Sequence, residues 1–253
     1  MARYFQDEYT LGPLIADGGN GMVYDGHRNS DNKPVVVKII HRSRHDKEEP
    51  NEVTIMKMLA HVDGVCKVID WYQQNLECRI IMDKLENVTD LFYYIDSLPE
   101  RKIPEKIALS IFRDLFNTVL ILDEMNLVHR DIKTENILIN KNTLKTTLID
   151  FDSCTFKRDK PFRVFSGTST YYPPEWYTNK MCSAEPMTVW SLGLVLYSMI
   201  TGKLPFDYAY EITTTEINFS EFSSPVEDLL RCMLIKEEQY RYGYHDIQRA
   251  LNV

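Results

Sequence analysis

A chain of 253 residues that is 44% hydrophobic, 26% charged and 11% aromatic has enough apolar matter for one or two packed domains, which excludes a disordered linker. Its net charge of -8, from 29 Lys and Arg against 37 Asp and Glu, argues against a general nucleic-acid binder and is compatible with basic partners. The five cysteines (Cys66, Cys78, Cys154, Cys182, Cys232) are scattered without a CxxC pair, so neither a disulfide framework nor a zinc site is expected and a reducing compartment is.

The N-terminal "MARYFQDEYT" lacks an apolar signal core, and Ala2 in place of glycine removes the myristoylation option. Strand character follows in "YTLGPLIAD", "GMVYDGH" and "KPVVVKII", separated by "GGN" and "RNSDN", which carry turn chemistry. In "EEPNEVTIMKMLAHV" the residues Val53, Met56 and Leu59 stand near helical spacing, and "VCKVIDWYQ" and "CRIIMDK" return to strands. These elements make a five-stranded sheet with one main helix.

After the polar "MDKLEN" the character changes. In "EKIALSIFRDLFNTVLILDEMN" a stripe of Ile107, Ile111, Leu115 and Val119 predicts a long amphipathic helix, and the run from Pro186 onward reads as further helices. The most apolar segment, "VWSLGLVLYSMI", is too short to span a bilayer, so a core helix and no membrane role are expected.

Three stretches carry chemistry. The loop "ADGGNGMVY" lies between strands, so the dinucleotide fingerprint fails for want of a following helix; its glycines can lie over a polyphosphate or simply turn a hairpin. Lys38 closes "PVVVKII" and can pair with Glu52, although a solvated edge-strand lysine and a solvated helix glutamate are the plainer readings of each alone. In "LVHRDIKTENILI" a carboxylate (Asp131), an ammonium (Lys133) and an amide (Asn136) share one short loop, and Asp150 stands nineteen residues after Asp131. That set suits phosphoryl transfer: one carboxylate takes the proton of a hydroxyl, an amide and a second carboxylate hold magnesium, and a lysine neutralises the moving phosphoryl group.

The strings "VVVKII", "HRDIKTEN", "IDFD", "GTSTYYPPEW" and "VWSLGLVLYSMITGKLPF", in this order, resemble a eukaryotic-type protein kinase over the whole chain, and "PPEWY" with the glycine-loop region is similar to the Pim family of serine/threonine kinases. The resemblance implies an α+β bilobal fold, with residues 1–82 as a strand-rich first lobe, 83–87 as a hinge and 88–253 as a mostly helical second lobe. It implies ATP and Mg2+, with Lys38 on the α- and β-phosphates paired to Glu52, Asp131 as catalytic base, Lys133 on the γ-phosphate, and Asn136 and Asp150 on magnesium. Ala16, Gly18, Gly19 and Gly21 would line the phosphate loop. Val23, Val36 and Leu138 would flank the adenine, with Met82, Asp83 and Leu85 at the hinge. His129 and Phe151 would stack with Met56 and Val68, and Glu175 would pair with Arg241. Lys133 together with Thr168 looks like the serine/threonine class.

Departures are also visible. Ala16 replaces a loop glycine, Asn20 the aromatic at the loop tip, Val36 the usual alanine and Thr188 an aspartate that Pim kinases also lack; Leu85 restores a hinge N–H. Asp152 stands where the family has glycine, and a positive φ there would cost about 1–2 kcal/mol. Asp90 and Glu135 match acidic positions that favour basic protein substrates, while Tyr93 and Thr134 do not. The activation segment carries Lys157, Arg158, Lys160 and Arg163, which read first as a solvated basic loop and otherwise as a dock for a phosphate on Ser166 or another hydroxyl, with Arg130 as its inner partner. A cytoplasmic or nuclear monomer that needs no activating phosphorylation is the expectation; an inactive ATP-binding scaffold is the rival, motivated by Ala16, Val36 and Asp152.

Overall fold

The computed structural model describes residues 4–19, 21–42, 48–164 and 166–252, so Asn20 lies outside the described residues. Two compact units divide between Glu86 and Asn87.

The first unit opens with a short helix α1 (Phe5–Glu8) that buries Phe5 against Tyr9 and Tyr72, with ring centroids 5.8 and 5.9 Å apart. Strands β1 (Tyr9–Gly18), β2 (Gly21–Arg28), β3 (Pro34–His41), β4 (Val68–Gln74) and β5 (Glu77–Asp83) form one antiparallel sheet in the order β1-β2-β3-β5-β4. The register of β1 on β2 shifts on either side of Leu14, where Gly12 and Pro13 interrupt regular pairing. Alternation along β3 buries Val35, Val37 and Ile39 against Phe5, Tyr9, Tyr72 and Ile81. Helix α2 (Asn51–Met58) buries Glu52, Val53, Ile55 and Met56; Val53 packs with Cys78 and Ile80, against which Val68 and Met82 also lie.

The second unit adds strand β6 (Val88–Asp90), helix α3 (Leu91–Ser97), helix α4 (Glu105–Glu124), strand β7 (Leu127–Val128), strand β8 (Ile137–Asn140), strand β9 (Thr146–Leu148) and strand β10 (Thr155–Phe156). Helices α5 (Pro174–Asn179), α6 (Ala184–Thr201), α7 (Glu211–Thr214), α8 (Ser224–Met233) and α9 (Tyr244–Leu251) follow. The unit is mostly helical, as expected, but β6-β8-β9 and β7-β10 form two small sheets that the sequence pattern did not announce. Strands of two to four residues carry too little alternation to be read.

The stripe expected on α4 needs correction. Ile111, Leu115 and Val119 are buried, but Ile107 is exposed and Ala108, Phe112, Phe116 and Leu122 complete the inner face. Steps of four residues run ahead of the 3.6-residue turn, so a strict i+4 ladder drifts off the core face within three steps. Helix α6 is buried along nearly its whole length and its apolar residues face every direction, as a core helix requires. Among the described residues no helix is long and apolar enough to cross a membrane. All five cysteines are free thiols.

Candidate active site

In the first unit, β3 carries Lys38 onto the sheet face shared by Val23, its partner across β2, and Asp25, Val36 and Met82 form the next row on that face. Lys38 is 5% exposed, and its ammonium donates to both Glu52 carboxylate oxygens at 2.8 and 2.9 Å. A buried ammonium needs such a partner, because desolvation of a lone charge costs far more than a surface pair returns. The plain reading of both residues as solvated is therefore excluded.

The residues expected to line a phosphate loop sit at the β1–β2 end. Gly18 faces Gly21 across the ladder, Gly19 has open space around it and Ala16 is exposed opposite Val23. Gly21 has φ +125, and a Cβ there would come within 2.5 Å of the Ile39 carbonyl oxygen. Only glycine satisfies both constraints. Val36 is half-buried, as are Met82, Asp83 and Leu85. The carboxylate of Asp83 accepts from Lys33 and that of Asp25 from Lys84, each at 2.6 Å. The Lys84 bond is the main reason that the Asp25 carboxyl is held below its ordinary pKa.

In the second unit the loop between β7 and β8 gathers Asp131, Lys133 and Asn136. Asp131 is 5% exposed; its Oδ1 accepts from the backbone N–H of Thr168 at 2.9 Å and its Oδ2 from the Asn136 side-chain amide at 2.8 Å. Lys133 Nζ lies 3.2 Å from Asp131 Oδ2 and donates to the Thr168 hydroxyl at 2.6 Å. The approach of Thr168 is set by Gly167, whose φ is +112 and where a Cβ would stand 2.7 Å from the Arg130 carbonyl oxygen and 2.8 Å from Asp131 Oδ1. Leu138 lies on β8, paired with Asp90 on β6, and Glu135 is exposed one turn before it.

His129 braces this loop. Its Nε2 lies 3.0 Å from the Ile149 carbonyl oxygen and its Nδ1 accepts from the Asp131 N–H at 3.3 Å, which fixes the neutral tautomer with the proton on Nε2. Burial pushes its pKa down, opposed by the nearby Asp150 and Asp131. The His129 ring meets Phe151 edge-to-face at 4.9 Å. Of the expected stack, Met56 and Val68 pack within the first unit and the two rings within the second.

Asp150 follows Ile149, whose N–H donates to the Asn136 carbonyl at 3.0 Å, so the two expected magnesium ligands hang from one pairing. The Asn136 amide nitrogen donates to the carbonyl and to the carboxylate of Asp131, which turns its oxygen to the other side. One carboxylate and one amide oxygen fit magnesium, which prefers oxygen donors and takes the rest of its shell from water and phosphate. The expected strain lies elsewhere than at Asp152. Asp150 has φ 62, while Asp152 is exposed and outside the left-handed region, so the turn places the demanding torsion on Asp150, the expected ligand.

Glu175 and Arg241 form a two-pronged ion pair at 2.8 Å on both prongs, and both are buried. The Phe162 ring, which no motif singles out, carries Arg130 at 4.9 Å and Arg158 at 4.2 Å from its centroid.

The family model described as "Protein kinase domain" matches residues 9–251. The chain is 34% identical over 237 residues to serine/threonine-protein kinase pim-2 of Danio rerio, covering 87% of this chain and 76% of that one. It is 34% identical over 242 residues to serine/threonine-protein kinase prk-2 of Caenorhabditis elegans, covering 90% of this chain and only 54% of that one. A PAS domain-containing serine/threonine-protein kinase of Mus musculus shares 34% over 209 residues, 78% of this chain and 15% of its own.

Proposed function

Because the chain belongs to the eukaryotic-type protein kinase family, stands close to its Pim members and is a protein serine/threonine kinase, we propose which residues carry the reaction and what substrate it takes. Asp131 accepts the proton of a serine or threonine hydroxyl as that oxygen attacks the γ-phosphorus of ATP and the bond to the β-phosphate bridging oxygen breaks, leaving ADP. The observation that carries this assignment is the seating of the Asp131 carboxylate by the Thr168 N–H and the Asn136 amide, which fixes it without neutralising it. Lys133, held by the Thr168 hydroxyl, offsets charge on the transferring group, and Lys38, oriented by Glu52, holds the α- and β-phosphates. Asn136 and Asp150 would hold magnesium, which when bound offsets the charge of the phosphate oxygens.

Gly18, Gly19 and Gly21, with Ala16, cover the phosphates; Val23, Val36 and Leu138 flank the adenine, and the hinge supplies backbone hydrogen bonds at Asp83 and Leu85. A basic substrate is supported by Asp90 and Glu135. Burial and then the Glu135 charge raise the Asp90 pKa against the opposing N–H of Tyr93, so an incoming cation relieves a standing repulsion. The free thiols support a reducing setting, cytoplasm or nucleus, and we infer a monomer that needs no activating phosphate. The scaffold reading finds no support in relatives that are named kinases, and Asp152 adds no left-handed strain.

Incubation with labelled ATP, magnesium and a basic serine peptide tests the reading. Asp131→Asn lowers transfer by about 10²–10⁴-fold, the usual worth of a positioned base. Equal label in both proteins overturns it.

A further inference from the structure

Phe162 is 2% exposed and seated in the apolar group of Val128, Cys182 and Met187, with Trp176 against it. Its backbone is pinned to Cys182, the N–H donating to the Cys182 carbonyl at 2.8 Å and the carbonyl accepting in return at 3.2 Å. A ring fixed at both the backbone and the side chain has little freedom to turn away. Two guanidinium groups share it, Arg130 at 4.9 Å and Arg158 at 4.2 Å from the centroid, both within cation–π reach.

Arg130 is half-buried and, among the described residues, pairs with no carboxylate; burial depresses its pKa, as expected for a cation short of a counter-charge. It also has φ 69, in the left-handed region that a non-glycine residue seldom adopts, and it immediately precedes Asp131. Its guanidinium rests on the electron-rich face of Phe162. Ser166, where a phosphate would find Arg130, donates its hydroxyl to Ser153 at 2.6 Å.

We propose that Phe162 is a positioning residue whose ring takes the place of an anion, holding Arg130 and Arg158 so that Asp131 is set for transfer without phosphorylation of the activation segment. This rests on the assignment of Asp131 as base.

Phe162→Leu keeps an apolar side chain but removes the ring face, and Phe162→Tyr keeps the face. Phe162→Leu is expected to lower kcat about tenfold with KM for ATP within about twofold, Phe162→Tyr to stay within about twofold of the parent, and phosphatase-treated parent to keep its kcat; these outcomes correspond to the worth of a partly desolvated cation–π pair. Parent-like kcat in Phe162→Leu, equal loss in both variants, or loss of parent kcat on phosphatase treatment overturns the proposal. If the parent shows no Asp131-dependent transfer, the base assignment fails instead, and the clamp is read by limited trypsin digestion. Cleavage between residues 157 and 164 must then be faster in Phe162→Leu than in Phe162→Tyr, and equal rates overturn the clamp.

Discussion

An exposed carboxylate on a turn whose φ any residue can adopt, as at Asp152, gains nothing from losing its Cβ. Asp152→Gly therefore frees the unfolded chain more than it relaxes the folded one, and a loss of about 0.4–1 kcal/mol is expected from a thermal melt. A gain in stability would show that the position is strained after all. The same residue shows what could be read in advance. Asp131, Lys133 and Asn136 fall within six residues of one another, so a candidate site was legible in one local string, with Asp150 in a second. The torsion was not, because the chain direction through Ile149 to Phe151 is set by the pairing of Ile149 with Asn136 and by the Phe151–His129 contact, neither of which is local. Phe162 was equally silent, since its partners stand 4 and 32 residues away and its ring carries no charge to advertise them.

At the scale of elements, the first turn of α5 and the loop before α9 are tied by Glu175 and Arg241. Arg241 also donates to the carbonyls of Ile235, Pro186 and Lys236, so its guanidinium is fully engaged inside the protein. Glu175→Gln leaves that charge buried without its counter-ion, and a loss of about 3–5 kcal/mol is expected in the denaturant midpoint at constant m-value. A loss under about 1 kcal/mol would mean that the carbonyls alone hold the arginine. The long elements were legible because α4, α6 and the sheet strands repeat their pattern over many residues. The small sheets were not, because β7 and β10 have two residues each and are strands only by virtue of each other. On α4 the error at Ile107 shows that a face is fixed by what packs on it, not by the most regular ladder in the sequence.

For the molecule as a whole, a net charge of -8 would favour the approach of a basic peptide, the substrate proposed for the acidic pair Asp90 and Glu135. Raising ionic strength from about 0.01 to 0.15 M shortens the screening length from about 30 to 8 Å, so kcat/KM for a basic peptide is expected to fall several-fold while kcat at saturation holds. An equal fall for an uncharged serine peptide would place the salt effect on ATP or on the fold. Charge balance could be read from composition alone, whereas the placement of that acidic pair required β6 and α3 to bring Asp90 opposite Leu138, just after the loop that carries Asp131.

The seating of Trp190 gives the protein an optical property. Its indole is fully buried in α6, stacked on Phe206 at 6.3 Å and capped by the Arg241 guanidinium at 5.1 Å, so it emits from a water-free site at short wavelength. Trp71 on β4 and Trp176 on α5 are half-buried, and the sequence has only these three tryptophans. Each compact unit thus carries its own native fluorophore, Trp71 in the first and Trp176 with Trp190 in the second, and with Trp71 and Trp176 replaced by phenylalanine the remaining light comes from the helical core alone.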